Sequence, residues 1–291
     1  MKNHYFDPRG IVPSSESTSQ GHTEVTFRMQ TFSHPDEHKA MMEKLKISSK
    51  FDMRYRGLLE FYSDDLVAYK LKKGSGKHTN EFLRIFSYYL TDTLEDHCPS
   101  SWQECQSSFW EKFIFVHYPH DHMTISKKQR DSEIFLLQLR RFVKWLDQRT
   151  GTSWLKVVEQ YEAQAKSELL HCEKLLNHLF QQAFPGIHQN DWDFEKILTS
   201  NTTNHNHYAN NIQSIFQVKE VYDDVVTIND IDSDRVYQIV GMPCKLVKPG
   251  LLIEGCIGMK KDAFFWELWV TSGVYPARAR DYFVFVDTKR Q

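Results

Sequence analysis

Glycine is scarce in this chain, 12 residues among 291, or about 4% against the ~7% usual in proteins. That argues against phosphate-cradling loops, whose backbone must approach a ligand closely. Cysteine is sparing too. Cys98, Cys105, Cys172, Cys244 and Cys256 include no CxxC pair, and their odd number leaves at least one unbridged, so they read as reduced thiols of a cytoplasmic protein. No run reaches the ~18 apolar residues of a membrane span. The stretch from Met1 to Pro8 lacks the apolar core of a secretory signal, so no membrane association is expected. Neither sign of charge dominates: 36 basic against 38 acidic side chains give a formal net charge of −2. The chain as a whole therefore has no field to draw in a polyanion, and any nucleic-acid surface has to be a local patch.

What is present is a folded composition, 41% hydrophobic and 25% charged, with aromatics at 14%. A change of pattern falls near residue 205. Before it, apolar residues recur at helical spacing; after the Asn/His-rich stretch from Ser200 to Asn211 they alternate in short runs between turn residues. The fold class this implies is α+β, an N-terminal all-helical domain followed by a small antiparallel β-barrel-like module. The expected divisions are a flexible segment at 1–33, a helical domain at 34–199, a linker at 200–211 and the β module at 212–291. Helices are expected from Pro35 to Ser48, Met53 to Leu71, Thr79 onward, Pro99-Ser-Ser101 to about Tyr118, Thr124 to Arg149 and Ser153 to Gln181. In the last, Trp154, Val158, Tyr161, Ala165, Leu169, Cys172, Leu176 and Leu179 share one seam. A short strand is expected at 25–29. Others are expected at 212–221, 225–228, 236–240, 251–257, 263–270 and 282–286, with Lys248-Pro249-Gly250 supplying a turn.

Four patterns bear on chemistry. Gly74-Ser-Gly-Lys-His-Thr79 approaches a phosphate loop, but Leu71 stands where the first glycine belongs and His78 where the hydroxyl belongs. It reads as a helix connector, with no nucleotide and no cofactor implied. In His117-Tyr-Pro-His-Asp-His122, His117, His120 and His122 beside Asp121 make a candidate metal-ligand set; the plainer interpretation is a helix C-terminus whose dipole favours imidazoles. On the fifth helix Lys127, Arg130, Arg141 and Lys144 fall within about a third of the circumference, near Trp145. Basic groups around an aromatic can hold phosphates, while packing of Trp145 against a neighbouring helix is the alternative. Phe264-Phe-Trp-Glu-Leu-Trp269 is apolar on both strand faces, which docking on the helical body would explain.

The stretch from Asn80 to Trp154 resembles the helical core-binding, SAM-like domain of tyrosine recombinases and phage integrases. The resemblance lies in Phe82-Leu-Arg-Ile-Phe-Ser-Tyr-Tyr-Leu90, the polar turn before Ser126, and Leu139-Arg-Arg-Phe-Val-Lys-Trp-Leu146 with Gly151 behind it. In that family the domain clamps duplex DNA ahead of a catalytic domain. Here no His-x-x-Arg followed by a nucleophilic tyrosine appears, so the resemblance implies DNA contact without recombination. The region from Val218 to Tyr237 and the Lys-Pro-Gly turn look like a small β module of uncharacterised bacterial proteins. The expected function is a non-enzymatic binding protein of bacterial type, a DNA-binding accessory or regulatory protein related to mobile elements, with duplex DNA or a protein as partner. The alternatives are a protein-interaction scaffold and a metal-dependent hydrolase.

Overall fold

The computed structural model of the chain describes residues 32–74, 76–189 and 208–283. The expected strand at 25–29 lies outside them, as do most of the segment 1–33 and of the linker 200–211. Pro35 opens α1 (Pro35–Ser48), as its missing N–H allows in a first turn. The helix expected over 53–71 is divided into α2 (Tyr55–Leu58) and α3 (Ser63–Lys73). Gly57 weakens helical continuation there by about 1 kcal/mol relative to alanine. Its backbone also packs so closely that a Cβ would meet Thr91 Cγ2 at 2.8 Å and Met53 Cε at 2.9 Å. The next helix, α4 (Lys77–Tyr88), begins ahead of the expected Thr79 cap, with Gly76 at the N-cap, and runs on as a π-helical turn at Tyr89–Thr93.

By the density of its internal packing the chain divides into two compact units, and the division does not fall at the 200–211 linker. Among the described residues one unit comprises 32–74, 76–105 and 141–153; the other comprises 106–140, 154–189 and 208–283. The first is helical, with an aromatic core. Phe142 is fully buried, and its ring centroid lies 5.1 Å from Tyr69, 5.1 Å from Phe86, 5.5 Å from Phe82 and 6.4 Å from Trp102. Asp65, in the first turn of α3, accepts a 2.7 Å hydrogen bond from Trp102 Nε1 and a 2.5 Å bond from Arg149 Nε.

The second unit holds α5 (Ser107–Lys112), a π-helical segment (Phe113–His122), the first half of α6 (Asp131–Thr150) and α7 (Trp154–Ala183). Two starts differ from expectation, Ser107 in place of Pro99-Ser-Ser101 and Asp131 in place of Thr124. The chain ahead of α6 is drawn into a turn because α7 supplies its polar partners. Asn177 Oδ1 accepts the Ser126 N–H at 2.9 Å and Asn177 Nδ2 donates to Thr124 O at 3.3 Å. Glu173 accepts the N–H groups of Asp131 at 2.9 Å and Ser132 at 3.1 Å, two of the donors a helix start leaves unmatched. Gly151, at φ +73°, terminates α6. Along α7 the residues from Val158 to Leu179 on the expected seam are buried, and β5 lies against this helix.

The strands are β1 (Asn210–Tyr222), β2 (Val225–Asp230), β3 (Val236–Val240), β4 (Leu252–Met259) and β5 (Trp266–Tyr275). They form one five-stranded sheet in the order β1-β2-β3-β5-β4, with β1 also paired to β4, so every strand has two neighbours. Purely antiparallel pairing does not hold: β3 and β5 run parallel. The chain reverses at Asp223 (φ +49°) between β1 and β2, and a Leu251 N–H to Lys248 O bond closes the Lys-Pro-Gly turn with Gly250 at φ +90°. Of the last expected strand, Tyr282 closes a 3₁₀ turn (Ala277–Tyr282), and 284–286 lie outside the described residues. The chain is thus mixed α+β, helical first and sheet last. No helix among the described residues is long and apolar enough to cross a membrane. All five cysteines are free thiols.

Candidate functional site

The π-helical segment Phe113–His122 runs for ten residues, well beyond the single-turn bulges in which π geometry usually occurs. Its i→i+5 closure decides which histidines meet, because residues four and five positions apart fall on one side. His117, Asp121 and His122 each present one ligating atom, and the three atoms lie within 4.8 Å of one another. His117 Nδ1 and Asp121 Oδ2 are 2.9 Å apart, and the His117 and His122 ring centroids 4.9 Å. Both imidazoles are buried, and Phe113 stacks on His117 from the preceding turn. Burial alone would raise the Asp121 pKa, but the His117 hydrogen bond and the three neighbouring imidazoles overcome it and hold the carboxyl at about 2. Asp121 is therefore an anion throughout the ordinary pH range.

His120 goes elsewhere, which corrects the set His117, His120 and His122. Its Nδ1 lies 2.7 Å from Tyr275 Oη and 3.4 Å from Glu254 Oε2, and Tyr275 donates to that same carboxylate. Two glycines make this arrangement possible. A Cβ on Gly273 would stand 2.5 Å from Tyr275 Oη, so only glycine leaves room for the phenol over β5. The β4–β5 register shifts between Glu254 and Gly255, a bulge of the kind that re-aims a side chain. Burial pushes the Glu254 pKa up, but His120, Tyr275 and Ser272 together bring it below the usual carboxylate value. The sheet holds the π segment from beneath, with Val116 packed against Ile231, Leu252, Tyr275 and Ala279.

The basic face does not survive as drawn. Trp145 is 9% exposed, with its ring centroid 5.1 Å from that of Tyr69, so it is a core residue and not a stacking platform. Arg130 precedes α6 and its guanidinium makes two hydrogen bonds to Glu133. Lys127 is exposed in the turn before α6 and groups with the other unit. Arg141 and Lys144 are exposed on α6 within the helical unit.

That unit adds further cations, in and just ahead of the Gly74–Thr79 connector. Lys72, Lys73 and Lys77 are exposed around the α3–α4 turn. Lys73 Nζ stands 5.9 Å from the centroid of the buried Tyr69 ring. Burial pushes the Tyr69 phenol up to about 12, and the Arg141 charge nearby acts in the opposite direction. Lys70 fixes the turn by donating to Gly74 O at 2.8 Å and to the Asn80 side chain. Their signal in the sequence was the spacing of Lys73 four residues after Tyr69, which places both on one helical face.

The remaining candidates are structural. His171 binds the Leu246 carbonyl at 2.7 Å, and His178 is exposed. Asp230 is buried at the end of β2, accepting from Ser214 and Ser233 at 2.5 Å each. In the Phe264–Trp269 stretch β5 starts only at Trp266; Phe264 is 94% exposed and Phe265 40%. No protein-family model, curated protein or solved structure matches the chain.

Proposed function

We propose that the protein is a non-enzymatic DNA-binding accessory protein that holds duplex phosphates with Lys72, Lys73, Lys77, Arg141 and Lys144. The observation that carries this is that two cationic elements act on one side chain: Lys73 of α3 stands 5.9 Å from the Tyr69 ring, and the charge of Arg141 on α6 reaches the Tyr69 phenol. A chain of net charge −2 sets these five cations in the helical unit while Asp64 and Asp65 occupy the opposite end of α3. That separation gives the helical unit a positive end without a positive protein. Trp145 enters only through the core, where it packs against Tyr69. The resemblance of 80–154 to recombinase core-binding domains agrees with duplex DNA as the polyanion.

Fluorescence anisotropy of a labelled duplex tests the reading. Five phosphate contacts would give a slope of log K against log[salt] of about −4.5, roughly 500-fold weaker binding between 50 and 200 mM salt. Lys73→Glu with Arg141→Glu reduces that slope by about 2. Absence of binding at 50 mM salt, or an unchanged slope in the double variant, removes the proposal.

A second reading, a protein-interaction scaffold, is favoured by the exposed pair Phe264 and Phe265 at the tip between β4 and β5. Sedimentation analysis over a concentration series tests its simplest form. Self-association that Phe264→Ser with Phe265→Ser abolishes supports it, and a monomer at all concentrations argues against it.

A further inference from the structure

We propose that His117, Asp121 and His122 form a buried site for one divalent transition-metal ion of the zinc class, and that the ion fastens the π-helical segment. The inference is independent of DNA binding and stands on residues of the other unit.

Two imidazoles and one carboxylate are the donor set that borderline divalent ions prefer; calcium and magnesium favour oxygen donors throughout. The geometry is close to what an ion requires. Zinc bonds of about 2.0–2.1 Å at tetrahedral angles place ligand atoms about 3.3 Å apart. The three atoms here lie within 4.8 Å, with His117 and Asp121 already at 2.9 Å, so side-chain adjustment suffices. An ion would replace the hydrogen bond between those two residues by two coordinate bonds.

The backbone makes the second argument. A π helix of this length is unfavourable in isolation, and an α-helical path would carry residue i+5 round to the far side from residue i. Only the wider turn sets His122 beside His117. One ion bound to residues 117, 121 and 122 therefore favours the π form over the α form. His117 is 2% exposed and His122 8%, so the site is closed to a substrate of any size and its role is structural. His120 takes no part, being engaged with Tyr275 and Glu254.

The test uses the full chain without an affinity tag, stripped with chelator and titrated with Co²⁺ and Zn²⁺. Cobalt spectra report the ligand set and mass spectrometry the stoichiometry. The expected result is one equivalent of metal, a visible cobalt band without thiolate charge transfer, and a thermal midpoint that rises on adding zinc and falls back with EDTA. Asp121→Asn and His122→Ala weaken binding at least tenfold, and His120→Ala leaves it unchanged. Should His122→Ala fail to fold by circular dichroism, Asp121→Asn decides, since it keeps the size and a hydrogen-bond acceptor. Failure to bind one equivalent overturns the proposal. So does one-equivalent binding that survives Asp121→Asn, or that His120→Ala abolishes.

Discussion

Removing the Glu173 side chain should unseat the start of α6. Glu173 lies on α7, is fully buried, and accepts the N–H groups of Asp131 and Ser132. Glu173→Ala leaves two donors at a helix start without their acceptor, at about 1–3 kcal/mol each, and deletes one buried methylene worth about 0.8 kcal/mol. Relief of the desolvated carboxylate and a water entering the space offset part of this, for a net loss near 3 kcal/mol. With an m-value of about 2 kcal/mol/M the urea midpoint falls by roughly 1.5 M, followed by far-ultraviolet circular dichroism. The pH dependence is a sharper check. Burial raises the Glu173 pKa despite its two N–H donors, so its contribution is complete below the unfolded value and declines as pH rises through the folded one. The variant is thus weakened more at pH 4 than at pH 8. A midpoint shift below 0.5 M, no larger than that of the exposed control Glu168→Ala on the same helix, would refute the reasoning.

Phe142→Ala empties the centre of the aromatic core and should cost about 3–5 kcal/mol, read as a lowered denaturation midpoint. Gly255→Ala sets a Cβ 2.3 Å from Val270 O, a backbone atom that cannot turn aside, so the variant should lose the β4–β5 bulge and express mainly as insoluble protein. For Asp230, burial is outweighed by the Ser214, Ser233 and backbone donors, and its pKa is depressed. The resulting stability is present above the unfolded value of about 3.9 and lost as pH falls through the folded one, so Asp230→Ala should flatten the acid limb of the unfolding profile.

Residues whose roles follow from local periodicity were legible in the sequence. Pro35, Gly151, the α7 seam and the Lys-Pro-Gly turn all act through spacings of four residues or fewer, and the helix-to-sheet change near 205 is the same kind of signal. What escaped depends on partners far away in the chain. Asn177 and Glu173 decide where α6 starts, and neither lies near residue 124. Trp145 could be placed either beside phosphates or against a neighbouring helix, because the neighbour that decides, Tyr69, belongs to another helix. The histidine motif was visible but its grouping was not: an α-helical or extended template selects neighbours by a spacing the π segment does not have. Glu254 and Tyr275 had as their sequence signal the two glycines set within otherwise regular strands, Gly255 and Gly273.

The double pairing of β1 has a kinetic side. Asn210 joins Met259, and Tyr222 joins Val225, so one strand carries both the most local and one of the most distant ladders of the sheet. The hairpin with β2 can form early. The ladder with β4 must wait until the intervening chain has been wound, which places it among the last contacts made. Detachment of β1 would expose two rows of backbone amides at once, one of β2 and one of β4. In native-state hydrogen exchange those amides should lose protection together, at a single opening free energy, with no gradation from one strand to the next.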